Sequence, residues 1–153
     1  MSTEKIFTVD APEESSGFLL WQVTNLWQRE IRKVLEPYNL THSQFVLLIS
    51  TLWLTKENQL ITQVILSAHT KIDPMTTSTV LRTLQKKGLI QRIEHETDTR
   101  AKTILLTAAG SELAKMAVKT VEKFDHEFFA PLGIKTKDFN GSIHLLIESN
   151  KSL

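Results

Sequence analysis

The sequence predicts a mainly α-helical protein with one small β-hairpin, the arrangement of a winged helix-turn-helix with additional helices. Three observations support this fold class. Apolar residues recur at helical spacing along most of the chain. One segment, residues 73–88, carries signals for both the start and the end of a helix. Two short segments that contain β-branched residues follow it and flank a charged turn, which is the pattern of a hairpin.

The helix at the centre of this prediction runs from Pro74 to Lys87. Asp73 is a suitable N-cap, because its carboxylate can accept hydrogen bonds from the free amides of the first turn. Pro74 fits the first helical position, where its missing N–H costs nothing. Gly88 stands where a helix commonly ends in a left-handed residue, and Lys86 and Lys87 complement the negative end of the helix dipole.

The two faces of this helix differ in chemistry. At about 100° per residue, the predicted inward face consists of Thr77, Val80, Leu81 and Leu84. The opposite face carries hydroxyl groups, cations and one methionine, and it consists of Met75, Ser78, Thr79, Arg82 and Lys86, with Thr76 at its flank. Short hydroxyl side chains let a helix approach a groove of DNA, and a methionine there could touch a thymine methyl group. A merely solvated face would have the same composition, so this helix alone does not decide between the two.

The segment after Gly88 predicts the hairpin. Residues 89–95 and 102–106 are the predicted strands, and residues 96–101 form the turn between them. An arginine at such a tip, here Arg100, can enter a minor groove, whose negative potential attracts a guanidinium group. Asp98 would orient Arg100 or the backbone of the turn. The alternative is a solvated turn with an incidental Asp–Arg pair.

The order of these segments resembles the wing region of the MarR family of bacterial transcription regulators. That family combines a Leu-x-x-x-Gly-Leu-(Ile/Val)-x-Arg segment, an Asp-x-Arg in the wing, and a Leu-Thr-x-x-Gly that opens the next helix. The matching positions here are Leu84, Gly88, Leu89, Ile90, Arg92, Asp98, Arg100, Leu106, Thr107 and Gly110. The resemblance covers the chain roughly from Phe18 to the C-terminus. It implies a helical dimer and control by a small aromatic or anionic effector, bound between the dimer helices and the winged helix, and it assigns no pocket residues.

The domain organisation follows from the positions of the amphipathic segments. Residues 1–16 are polar and acidic and predict a flexible arm. Residues 17–153 predict one domain, in which residues 38–106 form the winged helix-turn-helix and residues 17–37 and 107–153 form dimerisation helices. The terminal helices carry more apolar surface than a small winged helix needs, and such a surplus suits a homodimer interface. A monomer with a larger core is the alternative.

Several further elements have specific expectations attached. Most of the apolar stripe of the first helix, which includes Trp27, is expected to be core, and core packing is the more common fate of the three tryptophans than an effector pocket. Thr41 and Gln44 form a capping box. Thr62 caps a short helix, after which Ile72 would fill the core. Its expected inward residues are Val64, Ile65 and Ala68. The longest helix begins at the cap Thr107, and its expected apolar stripe is Leu113, Met116, Ala117 and Phe124.

Composition and charge exclude several other classes of protein. The chain has 153 residues, a net charge of +1 and no cysteine, which excludes disulfides and a cysteine redox sensor. No apolar run approaches the roughly 18 residues of a membrane span, and the N-terminus lacks the features of a signal peptide, so a cytoplasmic location is expected. Residues 71–102 contain seven cations and four acids, so the predicted hairpin region is more basic than the rest.

No pattern of catalytic or metal-binding residues is present. The five histidines show no pair at metal-binding helical spacing, and there is neither a glycine-rich phosphate loop nor a nucleophile next to a base. We therefore expect no metal, no cofactor and no enzymatic activity.

These features together predict a protein that binds double-stranded DNA. The base or phosphate contacts are assigned to Thr76, Ser78, Thr79 and Arg82, the minor-groove contact to Arg100 with Asp98 beside it, and phosphate contacts to Lys71, Lys86 and Lys102. A two-fold symmetric dimer requires a pseudo-palindromic operator with half-sites about 34–36 Å apart. Two alternatives remain: a winged helix that binds protein instead of DNA, and a small-molecule enzyme or carrier on the same scaffold.

Overall fold

The computed structural model describes residues 4–94 and 102–152 and confirms the predicted fold class. The helices and strands, in chain order, are α1 (Ser16–Leu35), α2 (His42–Lys56), α3 (Gln63–Thr70), α4 (Pro74–Lys86), β1 (Ile90–Glu94), β2 (Lys102–Leu106), α5 (Ala108–Phe129) and α6 (Thr136–Ser149). Short 3₁₀ turns occupy Pro12–Glu14, Glu36–Tyr38 and Ala130–Lys135. The turn at Pro12–Glu14 lies within the predicted arm, whose flexibility stays a prediction.

The predicted helix caps are confirmed. The carboxylate of Asp73 accepts a hydrogen bond from the Thr76 amide at 2.8 Å. Thr41 and Gln44 form the expected capping box at the start of α2. Thr62 caps α3, and its hydroxyl accepts from the Ile65 amide at 3.3 Å. Local side-chain chemistry therefore sets where each of these helices begins.

The C-terminal end of α4 is a Schellman motif. Gly88 has a φ of 74°, the left-handed conformation that the sequence predicts there. The Leu89 amide donates to the Leu84 carbonyl, and the Gly88 amide to the Gln85 carbonyl, both at 3.0 Å. These two bonds satisfy carbonyls that the helix end would otherwise leave free.

The start of α5 lies directly on this motif. The Thr107 amide donates to the Leu89 carbonyl at 3.1 Å, and the Thr107 hydroxyl donates to the Gly88 carbonyl at 2.6 Å. A Cβ atom on Gly110 would come within 1.9 Å of the Leu89 carbonyl oxygen, so only glycine fits at this position. The Gly-Leu segment and the Leu-Thr-x-x-Gly segment are therefore the two sides of one backbone contact, which we call the α4–α5 junction.

The hairpin is antiparallel and is fixed at its base. Ile90 lies opposite Leu106, and Glu94 lies opposite Lys102. A third segment joins its edge just before α3, because the Ile104 amide donates to the Ile61 carbonyl at 2.8 Å. Ile90 and Ile104 are buried, so one face of the hairpin belongs to the core.

One core joins the C-terminal half of α1 to α2, α4, the hairpin and α5. Its fully buried apolar side chains include Ile31, Leu35, Leu47, Leu48, Leu66, Leu81, Leu84 and Ile104. Ile72, in the turn between α3 and α4, packs against this core as predicted. Helix α6 contributes no buried residue.

Two expectations about inward-facing residues are confirmed only in part. Ile65 of α3 and Leu113, Ala117 and Phe124 of α5 belong to the core or pack against it, as expected. In α3, Val64 is 77% exposed and Ala68 is exposed, whereas Leu66 is fully buried, because only the side of this short helix that meets α2 and α4 is covered. In α5, Met116 is exposed and the buried positions are Ala114, Ala117 and Val121. The two alanines let α5 approach the core closely, which moves the buried stripe away from Met116.

The expectation that most of the α1 stripe is core is also wrong. Only Ile31 and Leu35 of this helix are buried. Trp21 is 68% exposed, and Trp53 of α2 is exposed as well, so these two tryptophans are not core residues. Large apolar side chains of the first half of α1 are exposed: Phe18, Leu19, Leu20, Trp21, Val23 and Leu26.

Hydrogen bonds tie α1 and α2 to α5. The Trp27 indole N–H donates to the Asp125 carboxylate at 2.8 Å, and the Trp27 ring meets His42 edge-on with centroids 5.0 Å apart. The Thr120 hydroxyl forms a hydrogen bond with the Tyr38 hydroxyl. Within the described parts of the chain, no helix is long and apolar enough to span a bilayer.

We predict that Gly110→Ala destabilises the protein by about 3 kcal/mol, because the added methyl group would overlap the Leu89 carbonyl oxygen. Chemical denaturation measures the free energy of unfolding. Gly141→Ala is the control, since nothing lies within 4 Å of a Cβ at that helical position. It should leave stability unchanged or raise it by up to about 1 kcal/mol. Equal effects of the two substitutions would contradict the α4–α5 junction.

Candidate nucleic-acid interface

The two faces of α4 are arranged as the sequence predicts. Thr77, Leu81 and Leu84 are buried and Val80 is partly buried, so Thr77 is excluded as a ligand contact. Met75, 80% exposed, lies opposite them at the N-terminal end of the helix. The exposed residues of the same stripe are Thr79, Arg82 and Lys86. The helix therefore presents a continuous outward face that its own chain does not cover.

The threonine hydroxyls of this helix are bonded within the helix itself. The Thr76 hydroxyl donates to the Asp73 carboxylate at 2.7 Å, and the Thr79 hydroxyl donates to the Met75 carbonyl at 3.1 Å. The hydrogen bond from the Thr76 amide, followed by that from its hydroxyl, lowers the pKa of Asp73 below its usual value. Asp73 is thus a charged N-cap at neutral pH, and Thr76 serves the cap more directly than it serves a ligand.

Two guanidinium groups meet at Ser78. Arg82 donates to the Ser78 hydroxyl and Arg92 of β1 donates to the Ser78 carbonyl, each at 3.4 Å. Burial, and secondarily the charge of Arg82, lowers the pKa of Arg92 below its ordinary value. Arg92 was not among the residues predicted for this surface. The alternation of β1 offered the signal, because Arg92 shares a strand face with the buried Ile90 and must therefore point towards α4.

Lys71 lies in the turn of the helix-turn-helix and replaces the glycine usual there. Its φ is 63°, in the left-handed region, and its ammonium group donates to the Ala68 carbonyl at 3.0 Å. The Gln63 side chain donates to the Pro74 carbonyl at 3.2 Å, which holds the first residues of α3 and α4 together. The N-termini of both helices therefore lie at the same end of the motif.

Of the other residues predicted to contact DNA, the structure describes Lys86 and Lys102. Lys86 is exposed in the last turn of α4, and Lys102 is exposed at the first residue of β2. Asp98 and Arg100 lie outside the described residues, so their predicted roles stay predictions. Among residues 74–86 there is no acidic side chain, so the outward face of α4 has a positive charge.

Several known proteins are similar to this chain in sequence or in fold. Residues 36–123 match the family model of the ArnR1-like winged-helix domain. The HTH-type transcriptional regulator YdcH of Bacillus subtilis is 41% identical over 135 residues, which are 88% of this chain and 92% of that protein. CouR from Rhodococcus jostii RHA1, in a crystal structure bound to p-coumaroyl-CoA, has a TM-score of 0.77 at 24% identity and covers 91% of this chain and 94% of that one. A MarR mutant from Escherichia coli complexed with operator DNA has a TM-score of 0.70 at 24% identity, covering 87% and 91%.

The helix-turn-helix, the hairpin and the positive outward face of α4 define a DNA-binding winged helix-turn-helix protein. The chain belongs to the winged-helix transcription regulators, because the model of the ArnR1-like winged-helix domain spans more than half of it and the HTH-type regulator YdcH is 41% identical. Its fold is also that of the CouR and MarR structures. The predictions of a DNA-binding regulator and of a protein that is not an enzyme are thereby confirmed.

Lys71 allows the backbone and charge contributions of the turn to be separated. We predict that Lys71→Gly is more stable than Lys71→Ala by about 1 kcal/mol, because alanine retains the cost of a left-handed residue and glycine does not. Both variants lose the same cation, so they should bind DNA with equal affinity. Thermal and chemical unfolding give the first comparison and fluorescence anisotropy the second. A more stable Lys71→Ala variant would contradict the assigned backbone conformation.

Proposed function

We propose that this protein is a sequence-specific repressor that binds a pseudo-palindromic operator as a homodimer and responds to a small aromatic or anionic effector. The outward face of α4 is the single observation that carries this proposal. The face has exposed donors and no acid after its cap, and its opposite side is anchored in the core. Such a helix can enter a major groove without unfolding any part of the domain.

In this proposal α4 lies in the major groove of each half-site. Arg82 contacts a base, since arginine paired with guanine is the commonest specific contact in that groove. Ser78 and Thr79 lie beside it, and Thr76 holds the cap that orients the first turn. Lys71, Lys86 and Lys102 contact phosphates, and Arg100 enters the adjacent minor groove with Asp98 beside it. Arg92 supports Arg82 by sharing Ser78 with it.

Exposed apolar side chains on the terminal helices support the homodimer. No residue of helix α6 is buried within its own chain. Four of its large apolar side chains are exposed, among them Leu146 at 59%. The first half of α1 exposes six more. A monomer in water rarely leaves this much apolar surface uncovered, whereas a second copy of the chain would bury it in an intertwined interface. Residues 17–37 and 107–153 would then be dimerisation helices, as the sequence predicts.

A groove between the proposed dimerisation unit and the winged helix suits an anionic effector. It has a volume of about 430 Å³, within the usual range for small-molecule sites. Its lining includes Arg32 from the end of α1, His42 from α2 and Lys87 from the end of α4. Burial lowers the pKa of His42, an effect that Arg32 reinforces and Asp125 opposes. The lining also includes the carboxylate of Glu36, so the two cations, Arg32 and Lys87, outnumber the acids of the groove by one.

Lys87 both lines this groove and ends α4, so a ligand bound in the groove can affect the position of the helix. Its ammonium group donates to the Asn39 carbonyl and, at 3.1 Å, to the Gln44 side-chain oxygen. A carboxylate in the groove would compete with these two acceptors for Lys87. The end of α4 would then lose a tie to the segment that joins α1 and α2, and the orientation of α4 in the half-site would change. The groove thereby couples effector binding to DNA affinity. A cytoplasmic location is part of the same proposal, because the operator lies there.

We predict that Arg82→Ala weakens operator binding by about 1–3 kcal/mol and relaxes the sequence preference at one base pair. The operator is selected from random duplexes and compared with the promoter of the neighbouring gene, and affinities are measured by fluorescence anisotropy at two salt concentrations. Lys86→Ala should weaken binding to all sequences equally and lower the salt dependence by about one phosphate contact. Lys56→Ala is the control and should change neither affinity nor sequence preference, because Lys56 is exposed at the end of α2, outside the proposed DNA contacts and the proposed dimerisation helices.

The outcomes of this experiment separate the alternatives. If the wild-type protein selects no sequence, the DNA proposal fails and a winged helix that binds protein takes its place. If Arg82→Ala and Lys56→Ala behave alike, α4 does not recognise bases through Arg82. If Arg100→Ala leaves DNA affinity untouched, the proposed minor-groove contact is wrong.

We predict that Lys87→Met weakens binding of p-coumarate or p-aminosalicylate roughly tenfold, because a charge-assisted hydrogen bond is lost. Trp27 lies against His42 beside the groove, so its fluorescence reports occupancy. Lys33→Met, which removes an exposed lysine elsewhere on α1, should bind these carboxylates like the wild type. Equal affinities of the two variants, or no saturable signal from the wild type, would overturn the groove as the effector site.

A further inference from the structure

The hydrogen bonds of α4 change the chemistry that the sequence attributes to its outward face. The sequence predicts a row of hydroxyl donors facing the ligand. In the structure, the three threonines of this helix that lie outside its buried face donate their hydroxyl groups to their own chain. Thr76 donates to Asp73 at 2.7 Å, Thr79 to the Met75 carbonyl at 3.1 Å, and Thr83 to the Thr79 carbonyl at 3.2 Å. A hydroxyl has a single proton to donate, so each of these side chains offers a base only its oxygen lone pairs and its methyl group.

Met75 adds a large apolar side chain to the outward face of α4. It is 80% exposed and lies at the second residue of α4, directly opposite the buried Thr77, Leu81 and Leu84. Thr79 follows one turn later on the same stripe, so the thioether and the Thr79 methyl group are neighbours along the helix. An isolated exposed methionine is ordinary on a protein surface. Here it occupies the N-terminal end of a helix that enters a groove, which is the end that contacts base edges in helix-turn-helix proteins.

The major groove offers one apolar group, the 5-methyl group of thymine. A flexible thioether and a threonine methyl fit such a group, whereas neither donates a hydrogen bond to a purine edge. We propose that Met75 and the methyl group of Thr79 recognise thymine by its methyl group, so that each half-site contains one or two thymines that these side chains select. The inference rests on the proposed DNA-binding function and adds the chemical group that α4 recognises beyond the Arg82 contact.

The experiment removes the thymine methyl group without changing base pairing. Each thymine of the selected operator is replaced in turn by deoxyuridine, and affinity is measured by fluorescence anisotropy. The wild-type protein should lose about fourfold in affinity per methyl group at one or two positions of each half-site, the effect of one buried methyl-sized group. Met75→Ala should lose a similar factor on the unmodified operator and become insensitive to deoxyuridine at one of those positions. Met75→Leu, which keeps an apolar side chain, should retain the sensitivity.

Two substitutions at Thr79 separate its methyl group from its hydroxyl. Thr79→Val keeps a methyl group in the same place and removes the hydroxyl, so it should bind the operator within about twofold of the wild type. Thr79→Ser keeps the hydroxyl and removes the methyl group, so it should lose about fourfold and become insensitive to deoxyuridine at its position. The opposite order, with Thr79→Ser normal and Thr79→Val weakened, would show that the hydroxyl recognises the base and would overturn the proposal.

The failure of this inference differs from the failure of the proposed function. A wild-type protein that binds a selected operator tightly but tolerates deoxyuridine at every thymine is a DNA-binding regulator that does not recognise thymine methyl groups. A wild-type protein that selects no sequence refutes both. Sensitivity to deoxyuridine that persists in Met75→Ala and in Thr79→Ser would assign the methyl contact to other residues and also overturn the proposal.

Discussion

At the α4–α5 junction, the first turn of α5 rests on the backbone that follows α4, where the absence of a side chain at Gly110 leaves room for the Leu89 carbonyl. Thr107 bonds both Gly88 and Leu89 there, so α4, the helix proposed to enter DNA, and α5 meet at the backbone of residues 88–89. The first strand of the hairpin begins at this junction and the second strand ends there, because Ile90 pairs with Leu106. The position of the hairpin relative to α4, and of both relative to α5, follows from this one contact.

The same C-terminal end of α4 is also connected to the proposed dimerisation unit by side chains. Lys87 bonds the segment between α1 and α2, and Trp27 and Tyr38 join α1 and its extension to α5. Backbone contacts therefore fix α4 at the junction, while a lysine that an anion can engage holds it on the side of the groove. A rigid contact beside an adjustable one suits the proposal that the orientation of α4 responds to an effector.

Local signals made much of the fold predictable. Asp73, Gly88 and Thr107 set the ends of α4 and the start of α5 through backbone chemistry that neighbouring residues determine. The burial of α1, α3 and α5 was not predictable to the same degree, because it depends on which elements cover each face. A stripe at helical spacing is the same whether it meets its own core or a second chain, so the exposed half of α1 was taken for core.

The candidate site shows the same distinction. Helical periodicity predicted the outward face of α4 correctly, and Arg82 and Thr79 lie on that face. The donation of the Thr79 hydroxyl to its own helix depends on a rotamer, which a sequence pattern does not specify. The approach of Arg92 to Ser78 depends on how β1 packs against α4, so it became visible only in three dimensions.

In the proposed complex, two copies of the chain place two α4 helices on successive major grooves. Native mass spectrometry with hydroxyl-radical footprinting of the complex on the selected operator tests this arrangement. We expect two chains per duplex and two protected segments related by two-fold symmetry, with centres about 34–36 Å apart. One chain per duplex with a single protected segment, at concentrations that saturate the DNA, would contradict it.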